Sequence, residues 1–366
     1  MSDNKKIREP LLRISKRASI VWWKAWIIRA AAIIAGFVIS VLVINALTDS
    51  TPVKVFESLF DETFGTKRRT WFTLQQAAML LCIALAVTPA FKMRFWNIGA
   101  EGQVLAGALA AVTCIVYIEG MIPNWLLLVI MVASSVIAGM VWALIPAFFK
   151  AKWNTNETLF TLMMNYIAMQ LVAFMIMIWV PNGSSVLPTQ EYGWLPRVLG
   201  VDYLFGIIVV VVLTVLMYIY LKSTKHGYEI SVVGESENTA KYIGINVKNV
   251  ILRTLAISGA ICGVAGFLIV AGAEHTISKE TAGGNGFTAI IVSWMSKFNP
   301  IVMVFSSLLI VYLKEGSKEI ADANMLSDSV SDIVTGIVLL LIIGCEFFIN
   351  YKIIFRHSTK KGKEVK

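Results

Sequence analysis

The sequence predicts an all-α, polytopic integral membrane protein with about ten transmembrane helices, two of them short. Three observations predict it. The 366-residue chain is 57% apolar and 15% charged, with a mean hydropathy of +0.73, whereas soluble domains hold about 45 to 50% apolar and about 25% charged residues. Its apolar residues fall in stretches long enough to cross a bilayer, which takes about 20 residues for a hydrocarbon core roughly 30 Å thick. Its 32 Lys and Arg residues gather on alternate loops.

Taken in order, the apolar stretches run 27–47, 71–91, 98–118, 124–149, 158–180, 201–221, 250–272 and 332–351. Two shorter ones, Gly286 to Phe298 and Pro300 to Leu313, are parted by Lys297-Phe298-Asn299-Pro300. Cytoplasmic loops collect Lys and Arg. With the amino terminus inside and ten crossings, the inside segments hold 24 basic residues and the outside segments eight. Merging the short pair into one crossing would put the six basic residues of the tail outside, so ten crossings with both termini in the cytoplasm is the preferred topology. The organisation read from this is a cytoplasmic and interfacial segment 1–26, a transmembrane domain 27–351 with a cytoplasmic loop 222–249, and a basic tail 352–366.

The same placement explains the net charge of +9. Basic residues along every cytoplasmic edge serve orientation and anionic headgroups, and no aromatic-basic motif calls for a nucleic-acid partner. The amino terminus does not read as a cleaved signal, because its first apolar run is long and Ala46-Leu47-Thr48-Asp49 is no small-x-small cleavage site. Residues 7–26, with Trp22, Trp23 and Trp26 among basic residues, read as an interfacial anchor. Cys82, Cys114, Cys262 and Cys345 all fall in apolar stretches, as small buried hydrophobes do.

Catalytic chemistry is hard to place on this chain. It has no Gly-x4-Gly-Lys-Ser/Thr phosphate loop, and His226, His275 and His357 lie on separate segments, so no metal, cofactor or enzymatic role is expected. A proton-coupled carrier buries several ionisable groups as a relay. Here only Glu101 and Glu346 keep that alternative open. A membrane scaffold that takes its energy from another subunit fits better.

Four features bear on such a role. The loop 222–249 contains Gly234 to Gly244, where Ser236 or Asn238 can cap a short helix, Gly244 can end it in the left-handed conformation, and Ala240 and Ile243 can share an apolar face. It is either a docking helix for a cytoplasmic motor or a solvated loop with a helical turn. Gly259, Gly263 and Gly266 share one helix face, a close-packing signal that also suits a moving interface. Asn97-Ile-Gly99-Ala-Glu101-Gly102-Gln103 and Gly283-Gly284-Asn285-Gly286-Phe287-Thr288 put glycine and polar residues at helix starts near the membrane edge. Each is a tight turn or a solute site, and the short stretches favour a site, since interrupted helices mark transport sites. Gln75, Gln76, Asn165 and Gln170 lie within apolar helices, as interhelical hydrogen-bond partners or pathway-lining groups. Trp71, Phe72 and Trp294 suit either an interfacial aromatic belt or stacking on a solute.

Five ordered motifs resemble those of permease subunits of ABC importers for simple sugars and nucleosides. They are Phe95-Trp-Asn-Ile-Gly-Ala-Glu-Gly-Gln103, Asn156-Glu157 followed by Leu162-Met-Met-Asn165-Tyr166, Gly234 through Gly244-Ile245-Asn246-Val247, Ser258-Gly-Ala, and Gly286-Phe-Thr-Ala-Ile-Ile-Val292 followed by Phe298-Asn299-Pro300. The first most resembles the nucleoside branch. The resemblance spans about Trp71 to Leu313. It implies a type II importer permease in a bacterial plasma membrane, paired with a second permease, two cytoplasmic ATP-binding cassette subunits and a solute-binding lipoprotein. It also implies that Glu235, Ser236, Asn238, Ala240 and Gly244 couple to the ATPases. The usual Ala-Ala pair of that helix reads Ala240-Lys241 here. The solute pathway is expected at Gln75, Gln76, Asn97, Glu101, Gln103, Asn165, Asn285 and Phe287, and the outer segments 51–70 and 181–200 are candidates for receiving the binding protein, with Glu57, Asp61 and Glu62 or Lys67 to Arg69 as rim charges.

Overall fold

The computed structural model describes residues 12–17, 21–47, 60–61, 63–180, 183–323 and 329–355. The elements are β1 (Leu12–Lys16), α1 (Trp22–Leu47), α2 (Lys67–Lys92), α3 (Ala100–Ile118), α4 (Asn124–Trp153), α5 (Glu157–Trp179) and α6 (Leu204–Ser223). They continue with α7 (Lys225–Glu235), α8 (Glu237–Tyr242), α9 (Val247–Ile269), α10 (Asn285–Met295), α11 (Pro300–Ala323), α12 (Ser329–Asn350) and β2 (Tyr351–Phe355). Each apolar stretch read from the sequence holds a helix. Among the described residues seven helices, α2 to α6, α9 and α11, are long and apolar enough to cross a membrane.

Only one of the two stretches expected to be short is short. Helix α10 has 11 residues, about 16 Å at 1.5 Å per residue. Helix α11 instead runs for 24 residues. Its last turns carry Lys314, Glu315, Lys318 and Glu319, which end the apolar stretch but are good helix formers.

The chain divides into two compact units. In the one built from the two ends of the chain, α1 lies along α12 so closely that a β-carbon on Gly36 would come 3.3 Å from the Val338 Cα. β1 pairs antiparallel with β2, Leu12 opposite Phe355 and Lys16 opposite Tyr351. Of the segment read as an interfacial anchor, residues 12–16 form a strand and 22–26 begin α1. The pairing also brings residues 12–16 and 351–355 side by side. Residues 1–11 and the tail from Arg356 lie outside the described residues.

In the other unit, Ser58 to Glu319, α9 packs against α2, α3 and α4. Its glycines do what their spacing predicts. A β-carbon on Gly259 would lie 2.3 Å from the Gly139 carbonyl oxygen of α4, one on Gly263 2.1 Å from that of Ser135, and one on Gly266 2.3 Å from that of Val104 on α3. Backbone thus packs on backbone, the arrangement that gains dispersion energy where lipid supplies no hydrophobic drive. The Ser135 hydroxyl donates to the Gly107 carbonyl at 2.9 Å and ties α4 to α3. Side-chain caps start the polar ends: Thr66, Asn156, Thr224, Ser236 and Asn246 each accept a backbone N–H of the first turn. Cys82, Cys262 and Cys345 are buried, and Cys114 is partly buried.

Candidate functional site

The two glycine-rich motifs of the sequence meet. Helix α10 opens at Gly284 and Asn285, and its first N–H groups have no partner within the helix. The Glu101 carboxylate supplies one: Oε1 accepts the Gly284 N–H at 2.8 Å and Oε2 the Gly286 N–H at 2.7 Å. Glu101 is buried. A negative group at a helix N-terminus is favoured both by these bonds and by the helix dipole. The close approach needs glycine, since a β-carbon on Gly286 would lie 2.5 Å from the Glu101 nitrogen. These N–H groups are therefore taken by the protein itself. Lys314 completes the junction, its Nζ donating to the Gly283 carbonyl at 3.2 Å and to the Asn285 amide oxygen at 3.4 Å.

The turn from α2 to α3 is held by amides from three sides. The Asn97 Oδ1 accepts the Gly99 N–H at 3.2 Å and the Gln103 Nε2 at 3.1 Å, while its Nδ2 donates to the Ser258 hydroxyl at 3.3 Å. Asn165 brackets the same turn from α5, accepting the Gly102 N–H at 2.9 Å and donating to the Ile98 carbonyl at 2.8 Å. Ser258 lies midway along the 23-residue α9, and Asn165 is more than a third of the way along the 23-residue α5. The turn therefore lies against the interior of two helices that are long and apolar enough to cross a membrane. Irregular backbone is tolerated there when protein buries it and its polar groups are paired.

The structure thus brings together Asn97, Glu101, Gln103, Asn165 and Asn285 around the first turns of α3 and α10. Phe287 stands beside them, 40% exposed. Gln75 and Gln76 do not join them. Gln75 is buried near the other end of α2, close to Gly272. The buried Oε1 atoms of Gln75 and Gln103 have no protein partner among the described residues. Three further features did not stand out in the sequence. Lys314 reads there as a loop charge, the Thr88–Ser293 hydroxyl pair at 2.9 Å joins α2 to α10, and Trp96 stacks on Trp294 at 5.7 Å between ring centroids.

The loop 222–249 folds into an arm of two helices. Ser236 accepts the Thr239 N–H at 3.2 Å and starts α8, and Gly244 ends the arm at φ +85°, as the sequence predicts. The apolar face expected for Ala240 and Ile243 does not form. Ala240 is fully buried in its own chain, packed with Ala90, Met93, Phe95, Ala143, Ile230 and Val247. Tyr242 and Ile243 instead point outward, 91% and 50% exposed, and Asn238 is also exposed. The arm is anchored twice. A β-carbon on Gly234 would lie 2.2 Å from the Lys92 carbonyl oxygen at the end of α2, and Arg253 of α9 pairs with Glu229 of α7 at 2.7 Å. On the opposite side of the bundle, the segment 186–195 runs along 271–277, with the N–H groups of Leu187, Gln190 and Leu195 donating to the carbonyls of Ile277, His275 and Ala271. His275 stacks on Trp194 at 4.0 Å. Glu57 and Glu62, expected to face a binding protein, lie outside the described residues, as do residues 181 and 182.

Comparisons with known proteins place this membrane scaffold in a family. Residues 70–343 match the family described as branched-chain amino acid transport system / permease component. The chain belongs to this permease family. It is a membrane-embedded transport subunit of the ABC type. Similar proteins include the glucose ABC transporter permease protein TsgB13 of Haloferax volcanii, 27% identical over 93% of this chain and 93% of that one. The nucleoside ABC transporter permease protein NupB of Lactococcus lactis is 27% identical over 92% of this chain and 93% of its own length. The guanosine ABC transporter permease protein NupP of Bacillus subtilis is 28% identical over 78% and 84%.

Proposed function

We propose that this chain forms half of the translocation pathway of an ATP-driven importer that carries a nucleoside or a related sugar-containing solute across a bacterial plasma membrane. Two cytoplasmic ATP-binding cassette subunits hydrolyse the ATP, a second permease completes the pore, and an extracytoplasmic lipoprotein delivers the solute. The chain itself performs no covalent chemistry. The observation that carries the proposal is the α7–α8 arm, with Tyr242 and Ile243 exposed at its tip and its other face locked to α2 and α9. An ATPase that moves Tyr242 moves α9, and α9 is seamed by glycine to α3 and α4. Such a linkage converts nucleotide-driven closure into rocking of the helices around the pathway.

The solute assignment rests on the nucleoside-type stretch Asn97 to Gln103 and on relatives named for nucleosides and guanosine. The glucose-named relative supports a monosaccharide as the second reading. The β1–β2 pairing supports placing both ends of the chain on one side of the membrane, which the basic-residue count makes the cytoplasm. The test is uptake by the complete complex in proteoliposomes against nucleosides, ribose, galactose and glucose. Accumulation of nucleosides supports the assignment. Accumulation of monosaccharides alone replaces it with the second reading.

A further inference from the structure

A cavity of about 470 Å³ opens beside the α7–α8 arm, and nothing in the transport reading uses it. Lys92 at the end of α2, Tyr218 and Lys222 on the last turns of α6, Ser231 of α7, and Asn299 and Pro300 at the start of α11 line it. Its volume lies within the roughly 300 to 1,000 Å³ of small-ligand sites. Among the described residues no Asp or Glu lines it.

Its two cations are left without an anion. Lys92 Nζ donates to the Leu221 carbonyl at 3.4 Å, and Lys222 Nζ donates to the Tyr218 hydroxyl at 2.8 Å. Among the described residues neither pairs with a carboxylate. An ammonium carries three donors, so each lysine keeps donors for a ligand. The neighbouring acid on α7, Glu229, is engaged elsewhere by Arg253 at 2.7 Å. Helix α11 begins in this wall, and the N-terminal end of a 24-residue helix adds positive potential, while Asn299 already takes the Ile301 N–H at 3.1 Å. Leu221 and Phe298 supply an apolar side to the same space. Two lysines, a helix start, neutral hydroxyls and no acid make a site for an oxyanion that brings several acceptor oxygens.

We propose that this cavity binds a phosphate group, carried by an anionic lipid headgroup of the adjoining leaflet or free in solution. The ends of α2 and α6 set it at a membrane edge, the one that the basic residues assign to the cytoplasm, where anionic headgroups gather. Because α7 forms one wall, an occupant links the arm to α2, α6 and α11. Occupancy therefore stiffens the path from the ATPase contact to the pore.

The assembled transporter is purified into phosphatidylcholine nanodiscs and given phosphatidylglycerol or inorganic phosphate, with bound ligand read by native mass spectrometry and stabilisation by the rise in Tm. The wild type binds one or both. The double variant K92Q/K222Q weakens that binding about 25-fold, taking roughly fivefold per lysine from the ~1 kcal/mol that a basic residue contributes at an anionic surface. K92R/K222R restores it. Lys152, exposed at the end of α4 and resting over the Trp153 ring, serves as control, and K152Q leaves binding unchanged. Competition by inorganic phosphate identifies the free ion as the ligand, and retention of phosphatidylglycerol alone identifies the headgroup. The proposal is overturned if K92Q/K222Q, with an unaltered Tm in phosphatidylcholine, binds both probes like the wild type. It is equally overturned if the wild type binds neither, or if K152Q loses as much binding as the double variant.

Discussion

Replacing Glu101 by alanine removes the acceptor for two N–H groups that the membrane span cannot otherwise pair. The bonds to Gly284 and Gly286 measure 2.8 and 2.7 Å, and a hydrogen bond to a charged group contributes about 1.5 to 3 kcal/mol. The helix N-terminus adds about 0.3 to 2 kcal/mol for a negative charge beside it. Against this, the alanine variant no longer buries a carboxylate, which itself costs several kcal/mol after relaxation. The net loss expected is about 3 kcal/mol, and the glutamine variant, keeping one acceptor and facing an NH2 to the other N–H, loses about 2 kcal/mol. Reversible unfolding of the purified chain in mixed micelles measures both. The partner substitution G286A crowds the same junction, with its β-carbon 2.5 Å from the Glu101 nitrogen. E101A and G286A should therefore be non-additive, as changes in contacting groups are. Wild-type unfolding midpoints for E101A and E101Q would refute the anchoring role. A folded E101Q that had lost only a proton-driven flux would make Glu101 a relay instead.

The other predictions concern the seam, the arm and the outer segment. G263L drives a side chain into the Ser135 carbonyl, 2.1 Å from where its β-carbon must sit; loss of folded protein in detergent is expected, and a monodisperse, stable variant would contradict the close packing. A240D buries a charge in a site with no partner and lowers the stability of the permease itself, whereas Y242D leaves its Tm unchanged and reduces co-purification of the ATPases at least tenfold. Equal loss of ATPases in both, with both equally stable, would contradict this division. Burial lowers the pKa of His275, against an opposing pull from Asp202, below its ordinary value of about 6.5. A base with a depressed folded pKa binds fewer protons folded than unfolded, so its contribution is complete above about pH 6.5 and lost on acidification. The protection of residues 186–195 against hydrogen exchange, taken relative to the intrinsic rate at each pH, should accordingly fall between pH 7 and pH 5 in the wild type and not in H275F; identical protection profiles would contradict it.

The helices were legible because a bilayer imposes one length and one composition on them. The glycines of α9 were legible for a related reason: three small residues on one face permit a backbone contact that few other arrangements need. The length of α11 was not, since hydropathy ends at Lys314 while the helix, stabilised by its own backbone bonds, does not. Glu101 could be read as a polar group at a helix start, but which N–H groups it serves depends on a contact between residues 101 and 286 that no local pattern encodes. The same holds for Ala240. Its small size in a capped helix fits a docking surface and a buried contact equally, and only the position of Met93, Phe95 and Ala143 around it decides. Tyr242 gave no signal in the sequence because one exposed aromatic carries no periodicity.

The central claim, that solute movement is driven through the arm by separate ATPases, is tested most directly by ATP-dependent uptake in proteoliposomes holding the full complex with wild-type or Y242D permease. Wild-type complex should accumulate solute only with ATP and binding protein, and Y242D, equally well folded, should lose at least nine-tenths of that uptake. Uptake by the permease alone under a proton gradient, or full ATP-driven uptake by Y242D, would contradict the account.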